Sequence, residues 1–313
     1  MIVAIAGRRA ASTRVLLDAL LADVAHTFTT DPAEADVVVL FDAESDLGRL
    51  RDEVLVVAYA DDPALAQATQ QLAARVVTFG LAASNDVRAE AIESTVDGTG
   101  FVLVSGDSSA PVAVSVLGES VVPLVLAALA VTAAAGIPTA QSIAALAGLT
   151  ELAPHDMRVA RPEPGVLIVD DTADGSPRST ADALKALAQF TTDGTRSVAV
   201  LGELDLPAHA DAIDSRDEHD RIGRLVVRLN VSRLIVVGQS ARHIHNAAGL
   251  EGSWDGESVL VDTLDEAYDL LRDTELSSSR TEPVVLLVKC GASANPGDLV
   301  DRLALTTRSR RAT

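Results

Sequence analysis

The chain has a single cysteine, Cys290, and only two lysines, Lys185 and Lys289, among 25 lysines and arginines. One thiol excludes an internal disulfide and any zinc site built from several thiolates, and it fits a reducing cytoplasm. Positive charge is scarce as well: 25 basic residues face 45 acidic ones, for a formal net charge of −20 at pH 7. A surface field of that sign repels phosphate backbones and anionic lipid headgroups, so nucleic acid is not an expected partner. No basic segment precedes an apolar core at the start, where MIVAIAGRRA alternates straight into a strand pattern, and no secretory leader is expected. Long apolar runs are also missing. The one tempting stretch, Ser120 to Thr150, carries no charge but is cut by Pro123, Gly136 and Pro138. Its pieces are too short to cross a hydrocarbon core of about 30 Å and read as two Ala-rich helices buried in a soluble domain.

What is present is enough apolar material for two cores, since 48% of the 313 residues are hydrophobic. Strand-like runs recur at Ile2–Ala6, Val37–Phe41, Val54–Ala58, Val76–Phe79, Val166–Asp170, Val198–Gly202, Leu234–Gly238 and Val284–Lys289. Apolar runs separated by amphipathic helical patterns are the mark of parallel sheets covered on both faces, so two doubly wound α/β units are expected. Between Glu90 and Val116, Gly98, Gly100, Gly106 and Pro111 punctuate short β runs with no helices between them, which predicts an antiparallel patch at the edge of the first unit. Pro154, Pro162 and Pro164 stiffen a connector, placing the domains at 1–153 and 154–306 with a frayed basic tail at 307–313.

From Tyr59 onward the order of motifs resembles the Mur ligase family, and within it the members that add D-alanyl-D-alanine to a UDP-muramoyl tripeptide. Asp61, Asp62 and Pro63 match the family's Asn-Asp-Asp-Pro turn, and VLGESVVPLVLAALAVTAAAGIP corresponds to the helix after its Gly-x-His-Asn motif. GVLIVDDTADGSPRSTADALKAL matches the opening of its C-terminal domain, while His219, Gly223 and Lys289 fall at family positions. The matches are collinear. The resemblance implies a central domain followed by a C-terminal Rossmann-like domain, with no counterpart of the family's uridine-binding domain and a central domain shortened between Leu21 and Val54.

A phosphate loop needs glycines for close backbone approach, a lysine for the β and γ oxygens, and a hydroxyl for magnesium. IVAIAGRRAASTRVLLDALL keeps Gly7, Ser12 and Thr13, but the second glycine is Ala10 and the lysine is Ala11. A methyl at Ala10 restricts positive-φ geometry, and Ala11 removes a charge where several negatives must be held. Arg8, Arg9 and Arg14 are the only local substitutes. With no lysine before Lys185, the lysine that the family carbamylates is also lost. The adenine-facing His-Asn pair reads Ser120 and Val121, the downstream asparagine is Leu124, and the replacements suggest a surface packed shut. Arg158 is a candidate for the family arginine that reaches the phosphates.

In the second unit Asp170 and Asp171 end a predicted strand, where doubly wound sheets place their ligands. They read either as a substrate or cation site with Ser179, or as a structural turn in which Asp171 or Ser179 caps the next helix. His219 and Lys289 are vestigial catalytic candidates. His219 reads equally as a helix-surface histidine beside acids, and no histidine has a metal spacing, so no metal site is expected. The leading expectation is a pseudo-ligase that has kept the scaffold, needs no cofactor and acts by binding a protein of cell-wall synthesis or division. Two rivals stand beside it: an active ligase that uses ATP and magnesium through arginines and borrows its substrate domain from another chain, and a small-ligand binder that holds a dipeptide in the C-terminal domain.

Overall fold

The structure, a computed structural model, describes all residues except 8, 44–46, 192–193, 253, 278–279, 292–295 and 310–313, and gives only the backbone of 306–309. The chain divides into two compact units, Met1–Ala153 and Pro154–Thr313.

The first unit runs β1 (Ile2–Ala6), α1 (Ala10–Leu20), β2 (Thr27–Thr29), β3 (Val37–Leu40), β4 (Leu55–Tyr59), α2 (Pro63–Thr69), β5 (Arg75–Gly80), β6 (Val87–Thr95), β7 (Gly98–Ser105), β8 (Ser108–Val114), α3 (Val121–Ala134) and α4 (Thr139–Leu146). They build an eight-stranded sheet in the order β2-β1-β3-β4-β5-β6-β7-β8. The strands from β2 through β6 pair in parallel. β6, β7 and β8 form the expected antiparallel patch. Pro111 lies inside β8 rather than between strands, which an edge position allows because a lost N–H there breaks no central ladder.

α3 is apolar from Val121 to Val131, with nearly every side chain buried among α1 and the sheet. Pro123 falls in its first turn, where the missing N–H costs nothing, and does not cut the helix. α4 differs from the expectation of burial, since only Ser142 and Leu146 are covered. It docks through Ser142, whose hydroxyl donates to Thr132 Oγ1 at 3.0 Å. On the other face, the segment between Leu21 and Val54 is too short for full helical crossings. The 3₁₀ turns Pro32–Glu34 and Leu47–Arg49 replace them, and Leu47 and Leu50 lean on Ala4, Val38, Leu40 and Val56.

The Asp61-Asp62-Pro63 turn is a latch. Asp62 caps α2 by accepting from the Leu65 N–H at 2.9 Å. Asp61 reaches back to the loop after β5, accepting from the Leu81 N–H at 2.5 Å, the Ala82 N–H at 3.1 Å and the Asn85 amide at 2.8 Å.

The second unit runs β9 (Arg158–Ala160), β10 (Val166–Asp170), α5 (Pro177–Phe190), β11 (Arg196–Leu201), α6 (Ala212–Arg228), β12 (Arg233–Val237), α7 (Arg242–Gly249), β13 (Glu257–Val261), α8 (Leu264–Thr274), β14 (Val284–Lys289) and α9 (Gly297–Ser309). Its six-stranded sheet has the order β13-β12-β11-β14-β10-β9, parallel except for β9. β10, β12 and β14 are buried at every residue, as a sheet covered on both faces requires. α9 packs through Leu299, Val300 and Leu303 and stays helical to Ser309, so the expected tail at 307 begins inside a helix; 310–313 lie outside the described residues. No helix among the described residues is long and apolar enough to cross a membrane.

α6 crosses α7 at Gly223, where an added Cβ would sit 2.4 Å from the Ile244 carbonyl oxygen and 2.9 Å from Ala247 Cβ. Gly223→Ala is therefore expected to destabilise the chain by about 1–3 kcal/mol, seen as a lower urea midpoint at unchanged slope. Gly249→Ala, with nothing within 4 Å of the new methyl, should show no such loss.

Candidate functional site

The loop after β1 joins a strand to a helix, as a phosphate loop does. Gly7 adopts φ +98°, open to glycine and few other residues, and an added Cβ would lie 2.7 Å from Asp42 Oδ2. β1 and β3 are neighbours with Ala6 opposite Leu40, so Asp42, two residues past β3, comes up beside the loop. Sequence reasoning missed this carboxylate because only the strand order brings it there. α1 begins with no side-chain cap and no acid in its first turn. Ser12 and Thr13 are both buried, and Thr13 Oγ1 donates to the Arg9 carbonyl at 2.9 Å.

Two of the three arginines near this loop, Arg9 and Arg14, have partners of their own. Arg9 Nη1 donates to the Ser120 carbonyl at 2.8 Å. Arg14 pairs with Asp18 at 3.7 Å and lies over the Phe28 ring at 4.7 Å. Arg8 lies outside the described residues. Val121 and Leu124, at the positions of the family's nucleotide-facing polar groups, are 2% and 1% exposed. The loop carries no lysine, and the Asp42 carboxylate lies beside its first residue.

In the second unit Lys289 is fully buried. Its Nζ donates to Asp171 Oδ2 at 2.6 Å and to Ser179 Oγ at 2.7 Å, joining the ends of β14 and β10 to the first turn of α5. Asp171 Oδ1 accepts from the Met157 N–H at 3.2 Å. Asp170 Oδ2 takes His155 Nδ1 at 2.7 Å and the Arg158 guanidinium at 3.0 Å, and its Oδ1 takes the Thr172 hydroxyl at 2.8 Å. Every oxygen of the pair thus has a donor inside the chain. Arg158 is held further by Asp301 at 2.6 Å.

Neither Asp171 nor Ser179 caps α5, contrary to one of the sequence readings. Ser176 does, accepting from the Ser179 N–H at 3.4 Å, because Pro177 forces it into the extended conformation that a cap needs. His219 corrects the helix-surface alternative, being 1% exposed. Its Nε2 accepts from the Leu204 N–H at 3.2 Å, so its proton sits on Nδ1, which donates to the Ser215 carbonyl at 2.6 Å.

Asp205, which no motif singles out, joins the loops that follow β10 and β11, and the nearby Glu203 joins them to the loop after β14. Asp205 accepts from the Gly175 N–H at 3.1 Å, while the Gly291 N–H donates to the Glu203 carbonyl at 2.9 Å. An added Cβ on Gly175 would lie 2.5 Å from Gly291 Cα, and one on Gly202 would lie 2.8 Å from Cys290 Cβ. The described parts of these loops thus approach one another closely beyond β10 and β14. An open cleft of about 430 Å³ lies beyond β11, β12 and β14, lined by Glu203, Gly238, Asp262, Asp265, Cys290 and Arg302 among others. Among the described residues no group of three or more His, Cys, Asp or Glu could hold a metal ion.

Removing Lys289 leaves Asp171 buried without its cation. Lys289→Met is expected to cost about 3–5 kcal/mol in chemical denaturation, and Asp171→Leu in the same chain should recover part of it. Burial pushes the Cys290 thiol up to about 12, against a smaller downward pull from Lys289. The native chain should therefore leave an aromatic disulfide reagent unreacted at about pH 8 and consume one equivalent once unfolded.

No family model matches the chain. It is 41% identical over 162 residues to the UDP-N-acetylmuramoyl-tripeptide–D-alanyl-D-alanine ligase of Mycobacterium leprae (strain TN), covering 48% of this chain and 30% of that protein. It is 38% identical over 265 residues to the ligase of the same name in Mycobacterium tuberculosis (strain ATCC 25618 / H37Rv), covering 79% of this chain and 50% of that protein. The chain thus spans at most half the length of these curated relatives. MurF from Acinetobacter baumannii superposes with a TM-score of 0.77 at 19% identity, over 97% of this chain and 76% of that one. MurF ligase from Thermotoga maritima in complex with ADP gives 0.77 at 18%, over 99% and 81%. At such identities the likeness is one of fold. Sequence and fold together place the chain in the Mur ligase family, where its two α/β units correspond to the central and C-terminal domains.

Proposed function

We propose that the chain is a MurF-like pseudo-ligase of peptidoglycan and cell-envelope synthesis, which acts by binding a protein and does not form an amide bond. The role in peptidoglycan synthesis is carried over from the relatives, whose names give them ligation of D-alanyl-D-alanine. The loss of catalysis rests on the phosphate loop, and above all on one observation: a carboxylate stands against Gly7 in a loop that reads Ala10 and Ala11 where the family has glycine and lysine. Carboxyl activation by ATP needs a steadied triphosphate and bound metal to offset the charge on the transferring group. Losing one such electrostatic contact costs about 3–4 kcal/mol of barrier lowering, and here the lysine, the carbamylatable lysine and the adenine-facing pair are all absent. The chain needs no cofactor on this reading. Its partner is a protein of cell-wall synthesis or division, such as a complete Mur ligase, met in the cytoplasm.

Isothermal titration with ATP and magnesium tests the reading, and no saturable heat up to about 1 mM ligand is expected. Micromolar binding that vanishes in Ser12→Ala would overturn it in favour of an ATP-dependent ligase. A second reading is favoured by the open cleft of the C-terminal unit, whose carboxylates and Arg302 could hold the two ends of a dipeptide. Its check is thermal: D-alanyl-D-alanine at millimolar concentration should raise the melting temperature, and an unmoved transition dismisses it.

A further inference from the structure

We infer that the free edge of β13 is a docking strand, which takes up an extended, lysine- or arginine-flanked segment of a partner protein as a further strand of the second sheet. This names a surface for the protein binding proposed above and rests on that part of the reading. The other sheet edges are blunted: β2 and β9 have three residues each, and β8 carries Pro111. β13 has five residues, with neither the proline nor the lysine that commonly protects an edge. Glu257, the one charge within it, is tied to Arg196 at 3.2 Å and to Arg233 at 3.3 Å.

The backbone of β13 is set for strand addition. The Glu257 N–H donates to the Ser232 carbonyl at 3.2 Å, and the Gly238 N–H donates to the Val261 carbonyl at 2.8 Å, so Glu257, Val259 and Val261 turn toward β12. Backbone groups alternate sides along a strand, and Ser258 and Leu260 therefore turn their N–H and C=O groups to the open edge. Among the described residues no group of the chain hydrogen-bonds to them there. The open ladder stops at Asp262, whose N–H donates to Glu266 Oε2 at 2.9 Å.

Charge selects the occupant. From His243 to Leu271 the sequence has seven acidic residues and no lysine or arginine. Asp265 and Asp269 are paired with Arg302 and Arg272, but Asp262 and Glu266, both exposed just past the strand, have no cationic partner among the described residues. A second copy of this chain brings the same carboxylates and a formal charge of −20 to the edge, and is repelled. An extended segment with basic flanks gains main-chain hydrogen bonds along β13 and ionic attraction at its end.

The experiment uses two fluorescent peptides of alternating valine and threonine, one flanked on each side by two lysines and the other by two glutamates. They are titrated against the full chain, against Ser258→Pro, which removes an outward N–H and leaves the ladder to β12 intact, and against Asp262→Asn with Glu266→Gln. Thermal unfolding of each variant confirms that it is folded. The lysine-flanked peptide is expected to bind at least tenfold more tightly than its counterpart, to weaken as salt rises from about 50 to about 500 mM, and to slow hydrogen exchange at the Ser258 and Leu260 amides. Each variant should weaken it at least tenfold. No binding, equal affinity for the two peptides, unprotected amides, or affinity retained in either folded variant overturns the inference, and so does self-association that Ser258→Pro abolishes, because a second copy then fills the edge. All of these leave the pseudo-ligase reading standing. Binding of magnesium ATP with the docking intact overturns that reading alone.

Discussion

A fully buried ammonium is the constraint on which the second unit depends. Lys289 has no water to solvate it, and an uncompensated charge at that depth costs several kcal/mol, so the fold must bring it anions and acceptors. It does so with Asp171 at 2.6 Å and Ser179 at 2.7 Å, groups 118 and 110 residues away in sequence. Satisfying one charge therefore sets the last strand, the first long strand and the start of α5 against each other. The neighbouring Asp170 is drawn into the same arrangement, holding His155, Arg158 and Thr172. Polar residues at the end of a parallel sheet usually face a ligand. Here they face one another.

The same economy recurs in the first unit. Asp61 satisfies the loop after β5, Arg9 is committed to the carbonyl of Ser120, and Val121 and Leu124 close the start of α3 with apolar packing. Groups that an open nucleotide scaffold would leave for its substrate are bonded within each unit. A ligand entering either place would have to break existing hydrogen bonds before making its own. These bonds stabilise the scaffold whether or not anything binds.

Much of the architecture was legible because it is written in periodicity. Apolar runs buried on both faces marked the central strands, and the glycines between Glu90 and Val116 marked the antiparallel patch. The absence of lysine from the loop after β1 was visible from composition alone. Three classes of feature were not. β2, β9 and β13 are short or polar edge strands, stabilised by pairing rather than composition. α4 looks apolar yet is exposed, since alanine is compatible with either side of a surface. The third class is long-range: Asp42 beside Gly7, Asp205 among the glycines and the burial of His219 depend on which strands become neighbours. The cap at Ser176 was different, for its Ser-Pro signal was present in the sequence but the reading turned to Asp171 or Ser179.

The edges of the two sheets bear on how the chain behaves at high concentration. β2 and β9 have three residues each, and β8 carries Pro111 near its middle. A neighbouring copy seeking to add a strand at β2, β8 or β9 meets too few backbone groups at the two short edges and a missing donor in β8, while β13, with five residues, offers a longer ladder. Growth of a fibril from the first three edges is interrupted at its first step, and mutual repulsion between copies each carrying a formal charge of −20 works in the same direction.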